Sequence, residues 1–199
     1  MPAIKEQSVE DARHSIEEML SALGESESPG FSKYALNAES IQLLDCERNE
    51  TTKKGRIVVE MQVSEGMSNQ LGNMHGGCAA TILDNITSMV LYLHTTGVFG
   101  EPWSMLGVSQ SIQIIYTAPA PVGEYIDIEC VSLAVGKSVA VIQVSSEACR
   151  WWPCKVLTSV LFLVLKCEMW TKDSKGGKRL KRTCTGTHTK IDNSGNSKL

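Results

Sequence analysis

Residues His75 to Leu93 set Ala79, Ile82, Leu83, Ile86, Met89, Val90 and Leu93 at helical spacing on one broad apolar face. The opposite side carries Thr81, Asp84, Asn85 and Ser88 and is only weakly polar, which predicts a helix buried over most of its surface. Such a helix needs a second layer to cover it, and the flanking sequence supplies strands. From Arg56 onward Ile57, Val59, Met61 and Val63 alternate with Val58, Glu60 and Gln62. Leu106 to Tyr116, Glu124 to Val135 and Lys137 to Ala148 read as three more strands. Pro119-Ala120-Pro121-Val122-Gly123 and Gly136-Lys137 divide them, and a last strand runs from Arg182 to Ile191. One buried helix followed by consecutive strands predicts an α+β domain whose antiparallel sheet wraps the helix.

The ends of the chain are organised differently. Ser8 to Leu23 has Val9, Ala12, Ile16, Met19, Leu20 and Leu23 at helical spacing, and the Ser- and Glu-rich Gly24 to Gly30 reads as a linker. Residues 1–30 are therefore expected as a helical arm peripheral to a main domain over 31–192, with a polar tail at 193–199. Within the domain, 149–181 reads as an atypical insertion, compatible with a genuine insertion or with a translated intron. Its apolar run Val156 to Leu165 is expected as an extra or replacement edge strand.

Composition removes several classes of function. A net charge of -3 gives no basis for nucleic-acid binding. The seven cysteines are scattered with no C-x-x-C pair, so no metal site is expected and a reducing compartment is. The ten residues from Val156 to Leu165 are too few to span a bilayer, which takes about 20. With no signal-peptide pattern at the start, the chain is expected to be soluble and intracellular.

The stretches "NQLGNMHGGCAATILDN", "LGVSQSIQIIYTAPAPVGEYIDIE", "GKSVAVIQV" and "GTHTK" together resemble the hotdog-fold acyl-CoA thioesterases of the His-Gly-Gly branch, the phenylacetate-thioesterase-like part of the thioesterase superfamily. The likeness covers about Arg56 to Ser146 and resumes from about Thr183 to Ile191. It implies a hotdog fold, a homodimer and often a homotetramer, and hydrolysis of fatty acyl-CoA without metal or cofactor. By position it implies Asp84 as the catalytic aspartate, as nucleophile or general base, Asn69 and Gly76 as carbonyl-binding groups, and Ser109 as a water-holding serine. His75, Gly77, Tyr116, Pro119, Ala120, Gly136, Lys137 and Ser138 fall on the expected substrate-binding positions.

The residues themselves give a reason for this chemistry. A helix N-terminus presents free N–H groups, and a glycine there lets a carbonyl approach closely. Gly76 and Asp84, eight residues apart on one helix, are separated by roughly 12 Å along its axis. Both cannot serve one carbonyl from the same chain, whereas two antiparallel helices across a two-fold axis could pair Gly76 of one subunit with Asp84 of the other. His75 is expected to fix the loop entering the helix, and Ser109, with no base nearby in sequence, to orient water. The cluster Lys178 to Arg182 reads as basic surface or a phosphate contact.

Two other functions compete: a non-catalytic acyl-CoA-binding hotdog protein and, further off, a hotdog hydratase or dehydratase. Ser197-Lys198-Leu199 matches the peroxisomal import tripeptide, so a peroxisomal location with the import receptor as partner is expected, the cytoplasm being the alternative.

Overall fold

A computed structural model of the protein describes residues 6–24, 31–135 and 162–192. Gly136, Lys137, Ser138, the whole strand expected at 137–148, and Ser197-Lys198-Leu199 lie outside the described residues. The described elements are α1 (Val9–Gly24), β1 (Gln42–Arg48), β2 (Gly55–Gln62), α2 (Gly76–Met89), β3 (Val108–Tyr116), β4 (Tyr125–Val135), β5 (Phe162–Lys172) and β6 (Arg179–Ile191). A 3-10 turn, Val90–Leu93, extends α2.

The six strands form one sheet in the order β1-β2-β4-β5-β6-β3, every described pairing antiparallel. Its inner face is built from alternate residues. Ile57, Val59 and Met61 of β2 stand beside Cys130, Ile128 and Ile126 of β4, and Cys167 and Met169 of β5 continue the row. α2 lies against this face through Ile82, Leu83, Ile86 and Met89, all buried. The closest approach falls at Gly186 of β6, where a Cβ would meet Leu83 Cδ1 at 2.4 Å and the Gln113 carbonyl oxygen at 2.9 Å. Only a residue without a side chain leaves room for Leu83 there.

Two expectations are corrected, and one strand lies beyond them. The helical arm is not peripheral: Ala12, Ile16 and Leu20 are buried and join the main core, because α1 packs on β1 and on the turn after α2. β1, with its interrupted alternation and a register shift between Leu43 and Asp45, carries too weak a period-two signal to be read from sequence. The described end of the insertion's apolar run, from Phe162, is not an edge strand: it opens β5, which sits between β4 and β6. The physical reason is alternation beyond the run, since Leu165, Cys167 and Met169 are buried while Lys166 is exposed and Glu168 half-buried.

The outer face is held by charge. Arg56 of β2 pairs with Asp45 and Glu47 of β1 and with Glu129 of β4. Arg179 of β6 bridges Asp127 and Glu129 of β4 at 2.9 and 2.5 Å. Lys172 of β5 donates to Glu60 of β2 at 2.5 Å and pairs with Asp127, and all three of these side chains are buried. Gly176 N–H adds a bond to Glu60 Oε2, which ties the β5–β6 turn to the same carboxylate.

Candidate functional site

The N-terminus of α2 is assembled by the loop before it. Ser68 and Met74 bridge, Met74 N–H donates to the Ala120 carbonyl, and His75 N–H donates to the Met67 carbonyl. His75 is the N-cap: its backbone is extended and its Nδ1 accepts from Gly77 N–H at 2.9 Å. With that donor occupied, Gly76 N–H and Cys78 N–H are the first-turn groups with no acceptor among the described residues, and Gly76, at the helix start, has no side chain to bar approach. Tyr116 from the end of β3 donates its hydroxyl to the Gly76 carbonyl oxygen at 2.7 Å and orients that peptide.

Asn69 sits in the same loop. Its Oδ1 accepts from Leu71 N–H at 2.9 Å and Asn73 N–H at 3.3 Å, which fixes the amide so that its NH2 remains available as a donor. Pro119 and Ala120 border this loop: Asn73 bridges Pro121, and Ala120 is buried while Pro119 is exposed. The structure thus brings Asn69, His75, Gly76, Gly77, Tyr116 and Ala120 together at one end of α2.

Asp84 stands two turns further along, with a side chain 43% exposed. Ser109 of β3 donates to its Oδ1 at 2.8 Å. Sequence reasoning missed the groups behind this pair. His188 and Lys190 of β6 point to the inner face, both buried, beneath the turn of α2 that carries Asp84. His188 Nε2 lies 3.4 Å from Asp84 Oδ1, and its Nδ1 lies 2.6 Å from Thr87 Oγ1. Lys190 Nζ donates to Ser88 Oγ at 2.6 Å, and Ser88 Oγ donates to the Asp84 carbonyl at 2.6 Å. The signal was present in "GTHTK": with Gly186 on the inner face, the period of two places His188 and Lys190 there too, titratable groups where a core strand would carry aliphatic ones.

Hydrogen-bond accounting fixes the state of His188. Thr87 Oγ1 has one proton and gives it to the Leu83 carbonyl at 2.7 Å, so it accepts from His188 Nδ1–H. Nε2 then carries a lone pair, facing Asp84 and otherwise unpartnered among the described residues. Burial, reinforced by the Lys190 charge and opposed by Asp84, pushes the imidazole down to about 4. Burial likewise lowers Lys190, with the Asp84 charge working against it. The result is a carboxylate held by a serine on its exposed side and backed by a neutral imidazole able to accept a hydrogen bond once the carboxyl is protonated. Among the described residues no group of His, Cys, Asp and Glu is arranged to hold a metal ion.

Residues 71–146 match the family model described as Thioesterase superfamily. The acyl-coenzyme A thioesterase 13 of Homo sapiens is 38% identical over 86 residues, which is 43% of this chain and 56% of the relative. The chain therefore matches little more than half the length of that curated relative. In three dimensions, the zebra fish thioesterase superfamily member 2 superposes with a TM-score of 0.58 at 23% identity, covering 90% of this chain and 96% of the other. A thioesterase protein from Streptococcus pneumoniae, solved with coenzyme A, superposes with a TM-score of 0.51 at 18% identity over 78% of this chain and 88% of its own. The fold is the hotdog fold of these thioesterases.

The buried imidazoles make stability depend on pH. His94, bonded to Ser132 Oγ at 3.0 Å, is also lowered to about 4, first by burial and then by Arg48. Both histidines start from an ordinary value of 6.5, so between pH 6.5 and 4 the unfolded chain takes up protons that the native state refuses. Their contribution is complete above pH 6.5 and declines as pH falls through that window, by up to about 3 kcal/mol each. Denaturant unfolding at pH 7 and pH 4.5 should show this loss, and a His94→Gln, His188→Gln double variant should lose distinctly less on acidification. An equal loss in the variant would contradict the neutral assignment.

Proposed function

We infer that this chain, which carries the thioesterase superfamily pattern over residues 71–146, hydrolyses acyl-CoA thioesters to a free acid and CoA. The observation that carries the reading is the division of α2 into an open N–H at Gly76 and a serine-held carboxylate at Asp84. Gly76 N–H and the Asn69 amide bind the thioester oxygen as negative charge develops on it. Asp84, its Oδ1 fixed by Ser109, takes a proton from water as that water attacks the carbonyl carbon. The protonated carboxyl is held by His188 Nε2 until the proton passes to the departing CoA thiolate. The products are the carboxylic acid and CoA thiol, so atoms and protons balance.

The two ends of α2 serve one carbonyl in a homodimer, Gly76 of one protomer facing Asp84 of its partner. Strand β3 supports this arrangement. It is a nine-residue edge with one side unpaired among the described strands, it carries Ser109, and Val108, Ile112, Ile115 and Tyr116 are exposed along it. Pairing two such edges about a two-fold axis covers the exposed backbone groups and brings the second half of each site near.

Asp84→Asn keeps the shape and removes the charge, and the rate of CoA thiol release is expected to fall at least about a hundredfold. Retention of activity within a few-fold would exclude Asp84 as the base. Mixing inactive Asp84→Asn with inactive Asn69→Ala protein should restore part of the activity after subunit exchange. Verified mixed dimers without recovery would count against the shared site.

The peroxisome is the proposed setting. Ser197-Lys198-Leu199 matches the receptor-read import tripeptide, and the proposal rests on that match. An N-terminally tagged fusion should collect in peroxisomes and become diffuse when Leu199 is deleted; a diffuse intact fusion in import-competent cells would defeat the proposal.

A further inference from the structure

Cys130 of β4 and Cys167 of β5 lie directly opposite one another in the antiparallel ladder, and both are fully buried. The Cys130 thiol donates to Cys167 Sγ at 3.3 Å, the one contact between two cysteine sulfurs among the described residues. Register singles out this pair. Across β5 and β6, Cys167 faces Gly186, while Cys184 faces Met169. Cys46 sits on β1, which pairs with β2, and Cys78 sits on α2. Opposed residues of an antiparallel pair have Cα atoms about 4.5 or 5.5 Å apart, depending on whether they exchange backbone bonds. A disulfide spans about 4.4 to 6.8 Å between Cα atoms, so either spacing accepts one without moving the backbone. The bond with Cys130 and then burial hold the Cys167 thiol well above the ordinary thiol range. In the closed sheet this thiol stays protonated and inert at neutral pH. The hydrolysis derived above uses neither sulfur.

We propose that Cys130 and Cys167 form a redox modification site, which peroxide converts into an intramolecular disulfide that staples β5 to β4. Opening of the β4–β5 pair admits the oxidant. One thiolate attacks a peroxide oxygen and the O–O bond breaks, giving a sulfenic acid and, with a proton from solvent, a first water. The second thiolate then attacks the sulfenic sulfur. The S–S bond forms, the S–O bond breaks, and the leaving hydroxide takes a proton to become a second water. Two thiols are oxidised and one peroxide is reduced, so atoms and electrons balance. In the reducing compartment expected from the scattered cysteines the pair rests as thiols, and a disulfide formed there is a transient, sensing one. The two cysteines are 37 positions apart, and the loop they close takes in the start of the atypical insertion. Closing a loop of that size stabilises the native sheet by restricting the unfolded chain.

The test treats the reduced full chain with hydrogen peroxide and maps its peptides by mass spectrometry without reduction. A linked Cys130–Cys167 peptide is expected, lighter by two hydrogens than its separate halves and released by dithiothreitol. The Tm of the oxidised protein should rise by at least about 5 °C. Cys130→Val and Cys167→Val, each keeping an apolar side chain suited to a strand, should abolish both the link and the rise. Should a variant fail to fold, the peptide map and Tm of the parent decide the matter alone. Absence of the linked peptide, or linkage of Cys130 or Cys167 to a different cysteine, would overturn the proposal. A link without a rise in Tm, or a rise that persists in both variants, would overturn it as well.

Discussion

The contact between α2 and the inner face of the sheet sets the position of everything else. Leu83 descends to within reach of β6 because Gly186 offers no side chain. That depth puts Thr87 and Ser88, one turn on, against His188 and Lys190. The same descent leaves Asp84 facing outward toward Ser109 on β3. A helix riding higher on the sheet would lose both the apolar burial and the alignment of the polar groups behind the carboxylate. Core residues and Asp84 share one helix, and the small residue that permits the packing also sets where Asp84 and the groups behind it stand.

Much of this was legible in the sequence because its periods are clean. The start of α2 and both ends of β2 came out within a residue of the observed ones, while the expected helix ran four residues past Met89, where the chain tightens into the 3-10 turn Val90–Leu93. β1 was hidden because its bulge breaks the alternation, and its Leu44 faces solvent while Cys46 faces the core. β5 was obscured for another reason. An unbroken apolar run drew attention to Val156–Leu165, whereas most of the strand lies beyond it, in the alternating Leu165 to Lys172. The buried side of α1 was fully present in its pattern, but a period shows which face is apolar and not what will cover it.

The site divides along the same line. Gly76 and Asp84 were legible because a glycine-rich helix start and a lone acid stand out against their surroundings, and their spacing carried a geometric consequence. His188 and Lys190 were not read, since their importance lies in which helix turn they touch, and that depends on the register between β6 and its neighbours. The His75 ring likewise admits a catalytic imidazole or a group fixing the loop in sequence; its bond to Gly77 N–H makes it the helix cap.

The charged outer face has a consequence of its own. Glu60 and Asp127, on two different strands, are buried against a single ammonium group supplied by Lys172, the last residue of β5. Sliding β5 by two residues would keep every apolar side chain on the proper face, so the core alone distinguishes poorly between the two alignments. It would, however, withdraw the ammonium, leaving Glu60 buried without counter-charge and Asp127 with Arg179 alone, a change of order 3–5 kcal/mol for breaking a buried pair. The ionic cluster therefore acts as an alignment check on the one strand whose sequence is least typical: apolar burial brings the segment into the sheet, and electrostatics decides at which residue it stops.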